Sequence, residues 1–266
     1  MKQTILSTKQ SELLESLIVA YGHIVSTDQI YEKAKDIWSL QQTKKVIGKL
    51  AKNGWLVRLK RGLYAISDLS NRGFLSLSPY VVANLLVKES YVSFESALAY
   101  HGMFDQLTNK IISVSTSKYK DVTLNNIEYD FLNVKDQFFF GWQEVMMDNQ
   151  TVRIAHAEKA LVDIIHFHRS KYSVDLVIEK LKEHQDSLDM KRFNEFIGNM
   201  SIITIKTFGL IFDLLGINSD KLHKLIKENN ATLKMLPEDK KFNAKWRLYY
   251  DEYFDKYAHS TTTGNH

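Results

Sequence analysis

Two glutamines, a threonine and three lysines (Gln41, Gln42, Thr43, Lys45, Lys49 and Lys52) fall within twelve residues, and Arg58, Lys60 and Arg61 follow within four. Glutamine can bond adenine through N6 and N7, and threonine can touch a thymine methyl. Lysine and arginine meet phosphates, where charge counts for more than geometry. The chemistry available to this set is recognition of duplex DNA.

Other candidate chemistry is thin. His156-Ala157-Glu158 has the H-x-E of zinc deaminases, but those also need a C-x-x-C, and the chain has no cysteine. The same absence removes disulfides, thiolate zinc sites and thiol nucleophiles, and suits a reducing cytoplasm. His166 and His168 are two apart on an expected helix and diverge, which makes a poor metal pair. Asp163 and His166 could share a face, a common structural pairing. There is no phosphate-binding glycine loop and no G-x-S-x-G elbow. No catalytic, metal or cofactor site is expected, and the protein is read as a non-enzyme.

The recognition residues need elements to hold them. Leu13, Leu14, Leu17, Ile18 and Tyr21 recur at helical spacing, so residues 9–21 form an amphipathic helix ended by Gly22. Ser26 or Thr27 starts a second helix through about Lys35. After a turn, Ser39 caps a third helix over 40–52, stopped at Asn53-Gly54. Leu40, Val46, Ile47 and Leu50 are its expected inward face, leaving Gln41, Gln42, Thr43, Lys45, Gly48, Lys49 and Lys52 outside. Gly48 costs such a helix about 1 kcal/mol against alanine. Close packing on the first helix is the leading explanation, and close approach to DNA the other. Strands over 55–59 and 63–66 flank a Lys60-Arg61-Gly62 turn. Helix, turn, basic helix and basic hairpin in that order read as a winged helix-turn-helix over residues 1–70, with the third helix for recognition and Arg58, Lys60 and Arg61 on the wing.

Charge agrees. Residues 1–74 carry 12 Lys and Arg against 6 Asp and Glu, a net +6, while the remaining residues carry 23 against 25. A basic segment on a near-neutral body is the footprint of a polyanion-binding module. The opening residues lack the unbroken apolar core of a signal peptide, and no apolar run approaches a membrane span. A cytoplasmic location is expected.

Residues 71–78 read as a linker. Over 79–258 a larger mixed domain is expected, for an α+β chain overall. It starts with a helix at Ser78-Pro79 running through about Val87, then a helix capped by Ser93 through His101. Strands follow over 110–116, 127–134, 138–147 and 151–154. The C-terminal part is helical over 157–168, 174–184, 190–200, 202–215 and 219–229, then mixed and aromatic to 257. On the 157–168 helix, Ala157, Ala160, Leu161, Ile164 and Ile165 form the packing stripe, with Glu158, Lys159 and Asp163 largely off it. Residues 259–266 are expected to be a disordered tail.

Four blocks occur in order: RGLYAIS at the wing, YVSFESALAYHGM (Tyr91 to Met103), VRIAHAEKALVDIIHF (Val152 to Phe167) and FNAKWRLYY (Phe242 to Tyr250). Together they resemble the AbiEi antitoxins of bacterial type IV toxin–antitoxin (abortive infection, phage defence) systems, from about Ser26 to Tyr250. The resemblance implies an N-terminal winged helix that binds inverted repeats in its operon promoter as a repressor. It implies a C-terminal domain that counteracts a nucleotidyltransferase-like toxin, AbiEii, in the founding type without a stable complex. It implies no cofactor, and DNA contacts at Gln41 to Lys45, Lys49, Lys52 and the wing cations. The helices between about Val174 and Asn229 exceed a minimal family member. The competing readings are a winged-helix regulator whose C-terminal domain senses a ligand or protein, and an enzyme with the winged helix as its targeting arm.

Overall fold

The computed structural model describes residues 5–67, 73–106 and 108–258. Of the expected linker (71–78) only residues 71 and 72 lie outside them, as does the whole of the expected tail (259–266).

Three helices, α1 (Thr8–Tyr21), α2 (Thr27–Ala34) and α3 (Leu40–Lys52), begin at Ser7, Ser26 and Ser39. Each serine accepts a backbone N–H from the residue three further on, a glutamine whose side chain accepts the serine's own N–H. The repeated S-x-x-Q thus acts as three capping boxes. Two short strands are expected here and three are found. β1 (Ile24–Ser26) pairs antiparallel with β3 (Leu63–Ile66), which pairs antiparallel with β2 (Leu56–Lys60). β1 is three residues long, too short to show an alternation in the sequence.

This small sheet is covered on both faces. Val25, Leu56, Tyr64 and Ile66 pack with α1–α3. Ile24, Val57, Leu59, Leu63 and Ala65 pack into the apolar core of the rest of the chain. Side chains alternate across a strand, so neighbouring residues serve opposite cores. Lys60 adds a polar tie, its Nζ donating to the Leu86 carbonyl at 3.0 Å.

The larger part starts with α4 (Pro79–Leu86), with Pro79 at the first helical position. A mixed sheet of six strands follows: β4 (Ser90–Val92), β5 (Lys110–Ser115), β6 (Val122–Leu124), β7 (Ile127–Asn133), β8 (Trp142–Met147) and β9 (Gln150–Ala155). Their spatial order is β6-β7-β5-β4-β9-β8. The expected strand over 138–147 starts only at Trp142, because Asp136–Phe138 is a 3-10 turn. Five helices follow or interleave: α5 (Phe94–Tyr100), α6 (Ala157–Phe167), α7 (Lys171–His184), α8 (Met190–Gly198) and α9 (Ile202–Leu215). α10 (Asp220–Leu225) ends earlier than its apolar spacing suggests. A last three-stranded sheet joins β10 (Leu233–Lys234), β11 (Lys241–Asn243) and β12 (Leu248–Tyr250), ahead of a 3-10 helix over Glu252–Tyr257. The chain is α+β. Among the described residues no helix is long and apolar enough to cross a membrane.

Candidate nucleic-acid interface

α3 turns its polar face outward. Gln41, Gln42, Lys44, Lys45, Gly48, Lys49 and Lys52 are exposed, while Ile47 and Leu50 are buried. Two expectations are corrected. Thr43, placed on the outer face, is 2% exposed, and its Oγ1 donates to the Ser39 carbonyl at 3.0 Å. Leu40, placed inward, is 58% exposed, and Trp38 packs on the core just ahead of it. Helical geometry explains both: seven residues apart, Thr43 and Leu50 lie within about 20° of each other around the axis, whereas Leu40 is about 80° from Leu50. Lys44, absent from the face read in the sequence, is exposed for the same reason.

The two glutamines differ in freedom. The Gln42 Oε1 accepts the Ser39 N–H at 2.9 Å. A two-pronged contact to adenine needs both that oxygen and the amide nitrogen, so Gln42 reads a base fully only by opening its capping box. Among the described residues no such bond occupies Gln41. Gly48 does not meet α1: a Cβ built there finds nothing within 4 Å. Its expected role in packing is therefore not what the fold uses it for.

The hairpin follows directly from α3, with the Trp55 N–H bonded to the Leu50 carbonyl at 2.9 Å. Arg58 and Arg61 are exposed at its end. Lys60 is half-buried, bonded to Leu86, and burial lowers its pKa. Of the three cations expected on a wing, two face solvent and one is engaged with α4.

The blocks at 91–103 and 152–167 meet in a buried polar network that spacing alone did not reveal. Lys159 and Asp163, expected off the packing stripe, are both 0% exposed, and Glu158 is buried too. Lys159 is ion-paired with Asp163 and donates to the Tyr91 hydroxyl at 2.9 Å. Asp163 also accepts from the Tyr91 hydroxyl at 3.1 Å and the Ser93 hydroxyl at 2.7 Å. Ser93 is thus not the side-chain cap of α5. Burial pulls the Lys159 pKa down and pushes those of Asp163 and Tyr91 up. A serine beside a lysine, a tyrosine and an aspartate could serve nucleophilic chemistry, but with all four closed to solvent the arrangement ties β4, α5 and α6 together. Phe94, next to Ser93, holds φ +54°, a left-handed backbone that is costly for a bulky residue, and stacks on His168 at 4.4 Å between centroids. Glu158 binds Arg192 at 2.9 Å and the Asp189 N–H at 2.7 Å, fixing α6 to α8.

His166 is engaged in the fold. The His166 Nδ1 lies 2.8 Å from the Thr204 hydroxyl, so Asp163 and His166 form no pair. Burial, aided by Lys159 and Arg169, drives the His166 pKa down to about 4. Among the described residues no group of three His, Asp or Glu is placed to hold a metal ion. In the 242–250 block, the Trp246 indole is buried and donates to Asp213 at 2.7 Å.

No protein-family model matches the chain, and no curated protein matches it. A crystal structure of the RV2827C protein from Mycobacterium tuberculosis is similar, with a TM-score of 0.65 at 12% identity, over 93% of this chain and 92% of that one. At that identity the likeness is one of fold.

Proposed function

We propose that residues 5–67 form a winged helix-turn-helix that binds duplex DNA through α3 and the tip of the β2–β3 hairpin. The observation that carries the reading is the outer face of α3, where Gln41, Lys44, Lys45, Lys49 and Lys52 surround an unpacked glycine. A glycine that costs helix stability and touches nothing leaves a place for another backbone to approach. Lysines on either side suit the two phosphate strands of a groove.

Taken with the four sequence blocks, this supports an AbiEi-like antitoxin that represses its own operon at promoter inverted repeats and counteracts a nucleotidyltransferase-like toxin. The blocks lie at the hairpin, the buried network and Trp246, so they maintain the fold and leave the antitoxic surface unassigned. The test is co-expression of the full chain with a nucleotidyltransferase-like toxin from its operon, beside repression of a reporter driven by the operon promoter. Rescue with repression is the expected pair. Repression without rescue would leave a DNA-binding regulator and remove the antitoxin.

That second reading has one observation in its favour. A cleft of about 620 Å³ lies between the hairpin, α4 and the β8–β9 hairpin, lined by Lys60, Asn84, Lys88, Glu144 and Arg153. A small ligand there would touch the DNA-binding module and the larger domain together.

A further inference from the structure

The cleft between the β2–β3 hairpin, α4 and the β8–β9 hairpin has a lining that selects its ligand. Leu63, Val81 and Leu85 give it an apolar part. Its charged part is Lys60, Lys88 and Arg153 against one carboxylate, Glu144. Arg153 is held within the fold by Glu89 and Glu144, each at 3.3 Å, and both carboxylates are more than half exposed to screening water. Among the described residues Lys60 and Lys88 make no ion pair. Lys60 comes from the hairpin and Lys88 from the turn after α4, so the helical module and the larger part each bring one unpaired ammonium to the same space. Lys60 is half-buried, and its acceptor is the neutral Leu86 carbonyl. A charge withdrawn from water against a carbonyl alone is costly, and an anion beside it offsets that cost. Gln150 adds a side-chain amide to the lining that no hydrogen bond occupies among the described residues.

We propose that this cleft binds a nucleoside monophosphate, with its phosphate shared by Lys60 and Lys88 and its base on the apolar part. The proposal names the ligand for the regulator reading above and rests on that reading for any effect on DNA. A phosphomonoester carries about −1.5 to −2 charges at neutral pH and three strong acceptor oxygens, which suits two separate ammonium groups. A carboxylate brings less charge, and inorganic phosphate leaves Leu63, Val81 and Leu85 uncovered. A volume of about 620 Å³ is that of a small-molecule site. The free amide of Gln150 offers both a donor and an acceptor to a base edge. Burial lowers the Lys60 pKa, and a bound dianion opposes that pressure. The second phosphate ionisation lies near pH 6, so binding strengthens as pH rises through about 6. A duplex phosphate presents the same chemistry with a single charge, and is the competing source.

The test is calorimetric titration of the full chain, without DNA and at low salt, with AMP, GMP, CMP and UMP in turn. The controls are the matching nucleoside and inorganic phosphate. Saturable binding of at least one nucleotide is expected, weakened about tenfold or more in the nucleoside, as for loss of hydrogen bonds to a charged group. Lys88→Gln is expected to weaken it by a similar factor, and because Lys88 is exposed that loss cannot be ascribed to misfolding. No saturation by any of the four, equal binding of the nucleoside or of inorganic phosphate, or unchanged affinity in Lys88→Gln would overturn the proposal. So would a DNA salt slope made shallower by about 1 in Lys88→Gln, which would give that lysine to a duplex phosphate. A nucleotide that binds and leaves duplex affinity unchanged supports the site and removes the regulator reading.

Discussion

At Gly48, alanine would collide with nothing and would strengthen α3 by about 1 kcal/mol. If DNA backbone comes close there, Gly48→Ala raises the urea midpoint and weakens DNA binding at once. Unchanged binding would mean that the glycine has no part in the interface. Gln41→Ala is expected to cost about 1–3 kcal/mol of discrimination at one base position, with little loss on unrelated sequences, measured by competition with single-base operator variants. An equal loss on every sequence would rule out base reading by Gln41. His166 carries a pH prediction. Its ring stays neutral in the folded chain down to about 4, against an ordinary value of 6.5. Over that window the unfolded chain binds the extra proton, so stability is complete above it and falls as pH drops through it. His166→Asn should therefore flatten the fall in urea midpoint between those two values, whatever its effect at neutral pH. An identical fall would show that His166 is not responsible. Much at this scale was legible: the caps at Ser26 and Ser39 and the outward Gln41, Lys45, Lys49 and Lys52 follow from residue type and spacing, whereas the cap at Ser7 and the glutamine halves of the three boxes were not read. Thr43 and Leu40 were misplaced, although a turn of 3.6 residues sets Thr43 beside Leu50. The Lys159–Asp163 pair left only its i,i+4 spacing as a signal, which a solvent-exposed pair would share.

At the scale of elements, the helices were read to within a few residues because apolar spacing repeats over several turns. The short strands β1, β4 and β6 were missed because three residues carry no period. Their place is fixed by partners far along the chain, as when Ile24 pairs with Ala65. The late aromatic block was readable as mixed structure but not as a clamp. A Cβ at Gly209 in α9 would lie 2.2 Å from the Trp246 ring. Helix propensity favours Gly209→Ala by about 1 kcal/mol, yet overpacking a closed core costs roughly 1–3 kcal/mol or more. The clash is with a rigid ring, so the packing penalty wins, and a lower urea midpoint is expected. A midpoint at or above that of the unaltered chain would mean that Trp246 is not held against α9.

At the scale of the whole molecule, the β1-β3-β2 sheet is a shared wall between the helical module and the larger core. Leu59 and Ala65 belong to the core that also holds Val81, Tyr91 and Ile154. Severing the chain in the expected linker would strip that face from the larger part. One cooperative unfolding transition is expected for the full chain, coincident by circular dichroism and tryptophan fluorescence; two separated transitions would refute the shared wall. The same wall divides the work of the hairpin cations, since Lys60 serves the joint with α4 while Arg58 and Arg61 face outward. The most direct test is the salt dependence of binding to duplex DNA carrying the proposed operator, an inverted repeat. With about five phosphates neutralised per module, log affinity is expected to fall against log salt with a slope of roughly −4 to −5. Replacing Arg58 and Arg61 with alanine should make that slope shallower by about 2, while Lys60→Ala should lower stability and leave the slope in place. A slope near zero, or one that neither α3 nor hairpin substitutions change, would contradict DNA binding through this face.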